Sequence, residues 1–157
     1  MNVFHRIAEQ FRKGTVEKIY WAVTEGRWRT AEGILSHWLL KNESVGKVEV
    51  VEPITPGARP AVLHYRLLRQ AGKLAWLEIC PETGRTHQLR VQLAQNGCAI
   101  YGDSKYGSSR TFGKAIALHA RSLSFVHPTR DESITLTAEM PAIWEDRFAA
   151  LILERDK

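Results

Sequence analysis

A helix with an arginine among its apolar side chains is the feature that most constrains this chain. Residues 81–94 open with a turn containing Gly84 and continue into a helical pattern. At about 100° per residue, the apolar side chains span an arc of about 200°, with Arg90 in its middle and three glutamines opposite. The arc is formed by Leu89, Leu93, Ala94 and Val91, and the glutamines are Gln88, Gln92 and Gln95. Because an unpaired buried charge costs several kcal/mol, Arg90 requires a carboxylate, a phosphate or backbone carbonyls as its partner.

The rest of the chain has mainly the pattern of strands. Helical spacing predicts a helix over residues 3–13, ended by Gly14, and another after Pro141. Alternating apolar and polar residues predict strands, in chain order, at residues 15–24, 33–40, 47–51, 61–68, 73–80, 116–126 and 133–138. Short turns join most neighbouring strands. The predicted fold class is therefore α+β with a mostly antiparallel sheet.

Composition and charge limit the class of protein. The 157 residues correspond to one domain, and no apolar run is long enough to cross a bilayer. The first residues lack a secretory pattern, so a cytoplasmic location is the default expectation. Cys80 and Cys98 have neither disulfide-framework nor metal-ligand spacing and are expected to be small buried hydrophobes. The net charge of +5 permits nucleic acid as a partner, although charge alone favours a merely solvated basic face.

Three segments resemble the RluA-like family of RNA pseudouridine synthases. Residues 9–22 look like the segment that holds the family's active-site tyrosine, and residues 83–93 look like its arginine motif. Residues 101–107 are similar to the Gly-Asp-x-x-Tyr-Gly turn that follows that motif in the family. Ordered, spaced motifs of this kind are far more specific than a single short match.

The resemblance implies a mechanism and roles for individual residues. Family members flip a uridine out of structured RNA, ribosomal or transfer RNA, at the cost of unstacking it. An aspartate attacks the nucleoside, the glycosidic bond breaks, and the uracil reattaches through carbon without a cofactor or metal. Tyr20 matches the tyrosine that packs against the flipped base, and Arg90 matches the arginine that pairs with the nucleophilic aspartate. The expected partner of Arg90 is therefore a carboxylate.

RNA contacts are expected from basic residues near these motifs. Arg12 and Lys13 belong to the basic early segment, and Arg85 and His87 lie at the start of the arginine helix, where a phosphate could also meet backbone amides. A structural histidine is an equally good interpretation of His87. Lys105 and Tyr106 are expected to be loop structure and not RNA contacts.

The family's His-Arg-Leu-Asp motif, which holds the nucleophile, does not occur in these residues. His5-Arg6-Ile7-Ala8 looks similar, but it adjoins the tyrosine segment, whereas the family's motif lies well before that segment. The absence is thus interpreted as truncation and not as substitution. Asp103 is expected to bond nearby backbone amides in its turn. The other aspartates lack the family's position and are poor candidates for a nucleophile: Asp131, Asp146 and Asp156.

The resemblance thus predicts a partial domain over residues 1–157, a truncated pseudouridine-synthase catalytic domain. Its sheet is expected to be bent, mixed but mainly antiparallel, with flanking helices. Missing early strands would leave an unpaired sheet edge and apolar surface, so self-association or a second polypeptide completing the sheet is expected. Three functions remain open. They are pseudouridine formation with an aspartate from elsewhere, RNA binding without catalysis, and a protein-interaction role without RNA.

Overall fold

The computed structural model describes residues 2–153, which form one sheet and four short helices. The strands are β1 (Glu17–Glu25), β2 (Glu32–Asn42), β3 (Lys47–Val51), β4 (Arg59–Ala71), β5 (Leu74–Pro81), β6 (Leu118–Val126) and β7 (Ser133–Thr137). The helices are α1 (Val3–Lys13), α2 (Gln88–Gln95), α3 (Ala142–Arg147) and α4 (Ala149–Ile152), and a 3₁₀ turn covers Ser104–Tyr106. None of the helices described is both long and apolar enough to cross a bilayer.

The seven strands form a single sheet in the order β3-β2-β4-β5-β1-β6-β7. Every ladder between these strands is antiparallel. The α+β class with a mainly antiparallel sheet is therefore confirmed. Hairpins join β2 to β3, β4 to β5 and β6 to β7, and β1 lies between the two later hairpins. This position gives β1 hydrogen-bonded neighbours on both sides, which fixes the directions of its side chains.

Different helices cover the two faces of the sheet. Gln92 of α2 donates to the backbone carbonyls of Leu35 and Ala61, 3.1 Å away in each case, so α2 lies across one face. On the opposite face the ring of Trp144 in α3 contacts the ring of His119, with centroids 6.1 Å apart. Consistent with cover on both faces, the consecutive residues Ala22 and Val23 are both fully buried.

Helix α2 is buried along a different arc from the one that its periodicity predicts. Gln88 and Gln92 are buried, together with Leu89, Val91 and Leu93. The buried arc thus passes through Gln92, and Arg90 projects from the other side of the helix. The physical reason is hydrogen bonding by the amide nitrogen, since a buried donor that finds backbone carbonyls in a sheet costs little. Gln92 Nε2 also lies 3.0 Å from His37 Nδ1, while Gln92 Oε1 is buried with no hydrogen-bond partner among the described residues.

Helix α1 has the predicted bounds and ends at Gly14, whose φ is +70°. None of its residues is buried, and Phe4 is 76% exposed. Gln10 joins the helix to β6 by donating to the Val126 carbonyl and accepting from the Val126 amide, each at 2.8 Å. The apolar side of α1 is therefore largely uncovered, although the helix is fixed to the sheet.

Candidate active site

A cleft of about 340 Å³ opens between β1, the turn after β5 and the start of α2. Its lining comprises Lys18, Tyr20, Pro81, Thr83, Gly84, Arg85, His87, Gln88, Leu89, Arg90 and Leu118. The structure thus places Tyr20 and Arg90, 70 residues apart in the sequence, in the wall of one cavity. Four of the six residues that the sequence singled out line this cleft. The other two, Arg12 and Lys13, do not.

Arg90 is held by Asp103. Its Nε donates to Asp103 Oδ2 and its Nη2 donates to Asp103 Oδ1, both at 2.8 Å. The Asp103 side chain is 1% exposed and that of Arg90 is 21% exposed. Hydrogen bonding to this carboxylate raises the pKa of the Arg90 guanidinium. The Nη1 amino group has no hydrogen-bond partner among the described residues and remains available to the cleft.

The Asp103 side chain does not bond the backbone amides of its own turn, although this was predicted for an aspartate in a Gly-Asp turn. Its side chain makes no capping bond to the backbone of the 3₁₀ turn Ser104–Tyr106, within the part of the chain described. Instead its main chain forms the turn, because the Asp103 carbonyl accepts from the amides of Tyr106 and Ser108 at 3.2 and 2.9 Å. The expectation that the carboxylate bonds nearby amides is thus wrong. A partly buried guanidinium within reach is the stronger partner for a carboxylate.

Tyr106 lies beneath Arg90 and beside His87. The Arg90 guanidinium carbon is 4.9 Å from the centroid of the Tyr106 ring, within the range of a cation–π contact. The Tyr106 hydroxyl accepts from the Val48 amide at 3.0 Å and lies 2.7 Å from His87 Nδ1. The expectation that Tyr106 is loop structure is therefore incomplete, because its two polar contacts reach β3 and the cleft wall.

His87 precedes α2 in a left-handed conformation, with φ at +53°. It is the one non-glycine residue with positive φ among residues 2–153. Such a conformation costs about 1 kcal/mol or more in an L-residue, so surrounding contacts must hold it. Burial and then the nearby cations Arg90 and Lys105 lower the pKa of His87, which favours the neutral imidazole near pH 7.

Tyr20 faces the cleft from β1 next to a bulge. The pairing of β1 with β6 shifts between Ile19, opposite Ser122, and Tyr20, opposite Ala120. Arg121 is therefore an extra residue in β6, a feature that bends a strand locally. The Tyr20 ring also borders a second cavity of about 410 Å³, beside Phe11 of α1. Its hydroxyl has no hydrogen-bond partner among the described residues, so it is free for a ligand.

A basic groove of about 600 Å³ adjoins the cleft. It is lined by the cations Arg12, Lys13, Lys18 and Arg85 and by one acid, Glu82. Arg12 and Lys13 also pair with Glu9 within α1, and all three of these side chains are substantially exposed to solvent. Arg85 Nε donates to the Pro60 carbonyl at 2.9 Å. Lys18 and Arg85 line both the basic groove and the cleft, so they connect the two.

Lys18 was not predicted as a site residue, although a signal was present. Lys18 and Tyr20 are two residues apart on β1, and strand alternation places both on one face. Gln88 was not predicted either, and its Oε1 accepts from Thr83 Oγ1 at 2.7 Å and from the Arg85 amide at 3.0 Å. These bonds set the shape of the turn that forms the cleft wall. No local pattern signals them, since glutamine is usually exposed.

The remaining aspartates lie away from the cleft. Asp131 is an exposed residue between β6 and β7, and Asp146 is an exposed residue of α3. Asp156 lies outside the described residues. Within residues 2–153, no three His, Cys, Asp or Glu side chains are placed together so that they could hold a metal ion. Both cysteines are free thiols, of which Cys98 is buried.

Comparison with known proteins connects this site to one family. Residues 2–95 match a family model described as RNA pseudouridylate synthase. The matched region includes Tyr20 and Arg90 and ends before Asp103.

Individual relatives agree with the family model. The chain is 36% identical over 145 residues to the uncharacterized RNA pseudouridine synthase YhcT of Bacillus subtilis, covering 88% of this chain and 47% of that protein. It is 31% identical to the ribosomal large subunit pseudouridine synthase C of Vibrio cholerae, covering 96% and 49%. The chain thus spans about half the length of these relatives.

The fold agrees as well. The structure of human RNA pseudouridylate synthase domain containing 4 superposes with a TM-score of 0.73 at 26% identity, covering 89% of this chain and 64% of that one.

Proposed function

The chain belongs to the RNA pseudouridylate synthase family, and on that premise we propose that its cleft receives a uridine of structured RNA, ribosomal or transfer RNA. The single observation that supports this most is that Tyr20 and Arg90 line one cleft next to a groove with four cations. A cavity of about 340 Å³ is within the range of small-ligand sites and suits a flipped base.

The residues of the cleft have separate roles in this proposal. The Tyr20 ring packs against the uracil, and its free hydroxyl assists the last proton transfer, in which C5 of the uracil loses its proton after it has bonded to the sugar carbon. Arg90 offers Nη1 to the carboxylate of the nucleophile, because its Nε and Nη2 are already bound to Asp103. The basic groove lies where the RNA backbone would continue from the flipped nucleotide. Arg12, Lys13, Lys18 and Arg85 are the proposed phosphate contacts there.

The nucleophile itself is not among the aspartates of the described chain. Asp103 is buried and both of its oxygens accept from Arg90, so it cannot attack a nucleoside in the cleft. Asp131 and Asp146 do not line the cleft. We therefore propose that the aspartate is supplied from outside residues 2–153, by further sequence or by a second polypeptide.

This polypeptide alone is expected to give no turnover. Large-subunit ribosomal RNA labelled with tritium at C5 of uridine releases tritium when pseudouridine forms, so tritium release measures the reaction. The Vibrio cholerae synthase C on the same RNA is the positive control. Release by the 157-residue polypeptide that disappears in Tyr20→Phe would show that these residues already contain a nucleophile, against the proposal.

RNA binding without turnover is the second expected result. Four phosphate contacts to the single-stranded loop of an RNA hairpin give a slope of about −3 for log affinity against log salt, so affinity falls roughly fiftyfold between 50 and 200 mM salt. Lys18→Gln is expected to reduce the slope by about 0.7, because one contact is lost. The matched control is Lys73→Gln, in the exposed turn between β4 and β5 and outside the basic groove. Fluorescence anisotropy with a labelled RNA hairpin measures the affinity of each variant and its dependence on salt.

The outcome separates the two alternative functions. Salt-dependent binding without turnover is the result expected of a non-catalytic RNA-binding relative as well as of an incomplete enzyme, and adding the missing aspartate segment distinguishes these. Binding too weak to detect at 50 mM salt favours a protein-interaction role without RNA. A partner protein has structural support, since β3 and β7 are edge strands of the described sheet and Phe4, Phe11 and Leu136 are exposed. Self-association or completion by a second polypeptide therefore remains part of the proposal.

A further inference from the structure

The turn at residues 102–107 lies behind the cleft and contacts two of its lining residues. We propose that Asp103 and Tyr106 are positioning residues that set the orientation of Arg90 and the tautomer of His87. The cleft would then receive two hydrogen-bond donors, Arg90 Nη1 and His87 Nε2–H. This inference deepens the proposed function and rests on it for its meaning in RNA recognition, although the positioning itself can be measured without RNA.

The orientation of Arg90 follows from the shape of its guanidinium. Nε and Nη2 form one edge of a planar group, and two parallel bonds of 2.8 Å to a single carboxylate fix that plane. The ring of Tyr106 supports the plane from one side at 4.9 Å. Asp103 is itself fixed, because its amide donates to the Ile100 carbonyl at 3.0 Å. Nη1 is then the guanidinium nitrogen left for a ligand in the cleft that Arg90 lines.

The tautomer of His87 follows from the hydrogen bonds of the Tyr106 hydroxyl. This oxygen accepts the Val48 amide proton at 3.0 Å, and its own proton needs an acceptor because Tyr106 is buried. His87 Nδ1, at 2.7 Å, is the acceptor within reach among the described residues. A neutral imidazole that accepts at Nδ1 has its proton on Nε2. Tyr106 thus makes His87 a donor at the nitrogen that is not bound to Tyr106.

The chemistry of the ligand follows from these two donors. Neither Nη1 of an arginine nor a protonated Nε2 can accept a hydrogen bond, so both require acceptors on the ligand. Uracil presents two carbonyl oxygens, and the attacking aspartate presents a carboxylate. A cytosine ring has an amino group in place of one of those carbonyls, and an amino group cannot accept a hydrogen bond from a donor of the protein. With Nη1 bound to the carboxylate of the nucleophile, the His87 Nε2–H donor favours uracil over cytosine where it faces position 4 of the ring, which is a carbonyl in uracil and an amino group in cytosine.

Nitrogen-15 NMR on the free protein tests the positioning. In the unmodified chain, long-range proton–nitrogen spectra are expected to show His87 as the Nε2–H tautomer, and Arg90 Nε–H as a resolved, slowly exchanging peak. Tyr106→Phe keeps the ring and removes the hydroxyl, and should convert His87 to a mixture of tautomers. Asp103→Asn should abolish the Arg90 Nε–H peak. The controls are Tyr65→Phe, whose hydroxyl bonds Thr30, and Glu78→Gln, whose carboxylate pairs with Arg66 at 2.9 Å.

Two NMR results would overturn the inference. One is an Nδ1–H tautomer of His87 in the unmodified chain. The other is an Arg90 Nε–H peak that survives unchanged in a folded Asp103→Asn variant. If Asp103→Asn does not fold, Tyr106→Phe still tests the inference, because it shows whether the Tyr106 hydroxyl sets the His87 tautomer.

RNA affinity supplies the functional readout. Tyr106→Phe is expected to lower the affinity for a uridine-containing hairpin roughly tenfold, because the His87 donor is misplaced. The slope of log affinity against log salt should stay unchanged. A structural defect in the basic groove would change the slope as well. An altered tautomer with unchanged affinity would overturn the recognition role of His87. Absence of RNA binding in the unmodified chain, with the predicted NMR signals present, would reject the proposed function and leave the positioning intact.

Discussion

Arg90→Met is expected to lower the free energy of unfolding by about 3–5 kcal/mol, because it removes the partner of a buried carboxylate. Asp103 is 1% exposed, and its side chain bonds only Arg90 among the described residues. Methionine can replace the aliphatic part of arginine, so the loss reports the uncompensated charge and not a cavity. Urea denaturation followed by circular dichroism measures it.

Removing the charge of Asp103 should lower the free energy of unfolding by less than removing Arg90 does. In Asp103→Asn the guanidinium of Arg90 remains, but it lines an open cleft and can be hydrated there, so about 1–3 kcal/mol is expected. The double variant should cost less than the sum of the two, since no unpaired charge stays buried. Arg66→Met is the matched control, because the Arg66–Glu78 pair is at the surface and should be worth about 0–1 kcal/mol. Equal losses in Arg90→Met and Arg66→Met would contradict a structural role for the buried pair.

Gly102→Ala is expected to destabilise the protein by about 2–5 kcal/mol through two separate effects. Gly102 has a φ of +87°, a conformation that costs an L-residue about 1–2 kcal/mol. A Cβ atom there would lie 2.7 Å from Phe112 Cβ and 2.9 Å from the Ala115 carbonyl oxygen, so backbone or core must shift at a further cost of about 1–3 kcal/mol. Chemical denaturation measures the total. Because Gly102 precedes Asp103, the Arg90 Nε–H peak should weaken in the same variant.

Gly107→Ala in the same turn separates the two effects. Its φ is +101°, but a Cβ atom there meets nothing within 4 Å. The expected loss is therefore the conformational part alone, about 1–2 kcal/mol. If Gly102→Ala costs no more than Gly107→Ala, the close packing of the turn against Phe112 is not a source of stability.

Much of the fold could be predicted from local patterns. Helix α1 has the predicted bounds because Gly14 follows a helical apolar pattern and can adopt the positive φ of a helix end. Alternation located all seven strands to within a few residues, and the glycine turn at Gly72 correctly joined β4 to β5. Each of these features depends on residues that are neighbours in the sequence. The sites predicted from motifs, Tyr20 and Arg90, were also found in one cleft, while their chemical roles remain proposals.

The errors concern contacts between distant residues. Periodicity placed Arg90 in the middle of an apolar arc, whereas the buried side of α2 passes through Gln92. The carbonyls that accept from Gln92 Nε2 belong to Leu35 and Ala61, 57 and 31 residues earlier. A helical pattern gives the angle between side chains but not the direction of the sheet. The carboxylate that Arg90 requires was expected from a missing segment, and Asp103 supplies one from the next turn.

Local spacing and ordered motifs were enough to predict the helices, the strands, the α+β class and the family. The folded chain was needed to identify the carboxylate that holds Arg90, the imidazole nitrogen that contacts Tyr106, and the cations that line the basic groove. Those cations come from α1, β1 and the turn after β5. Their proximity depends on how the sheet is ordered and how α2 packs on it. The physical reason is that burial and pairing are properties of the space around a side chain, and that space is formed by residues far away in the sequence.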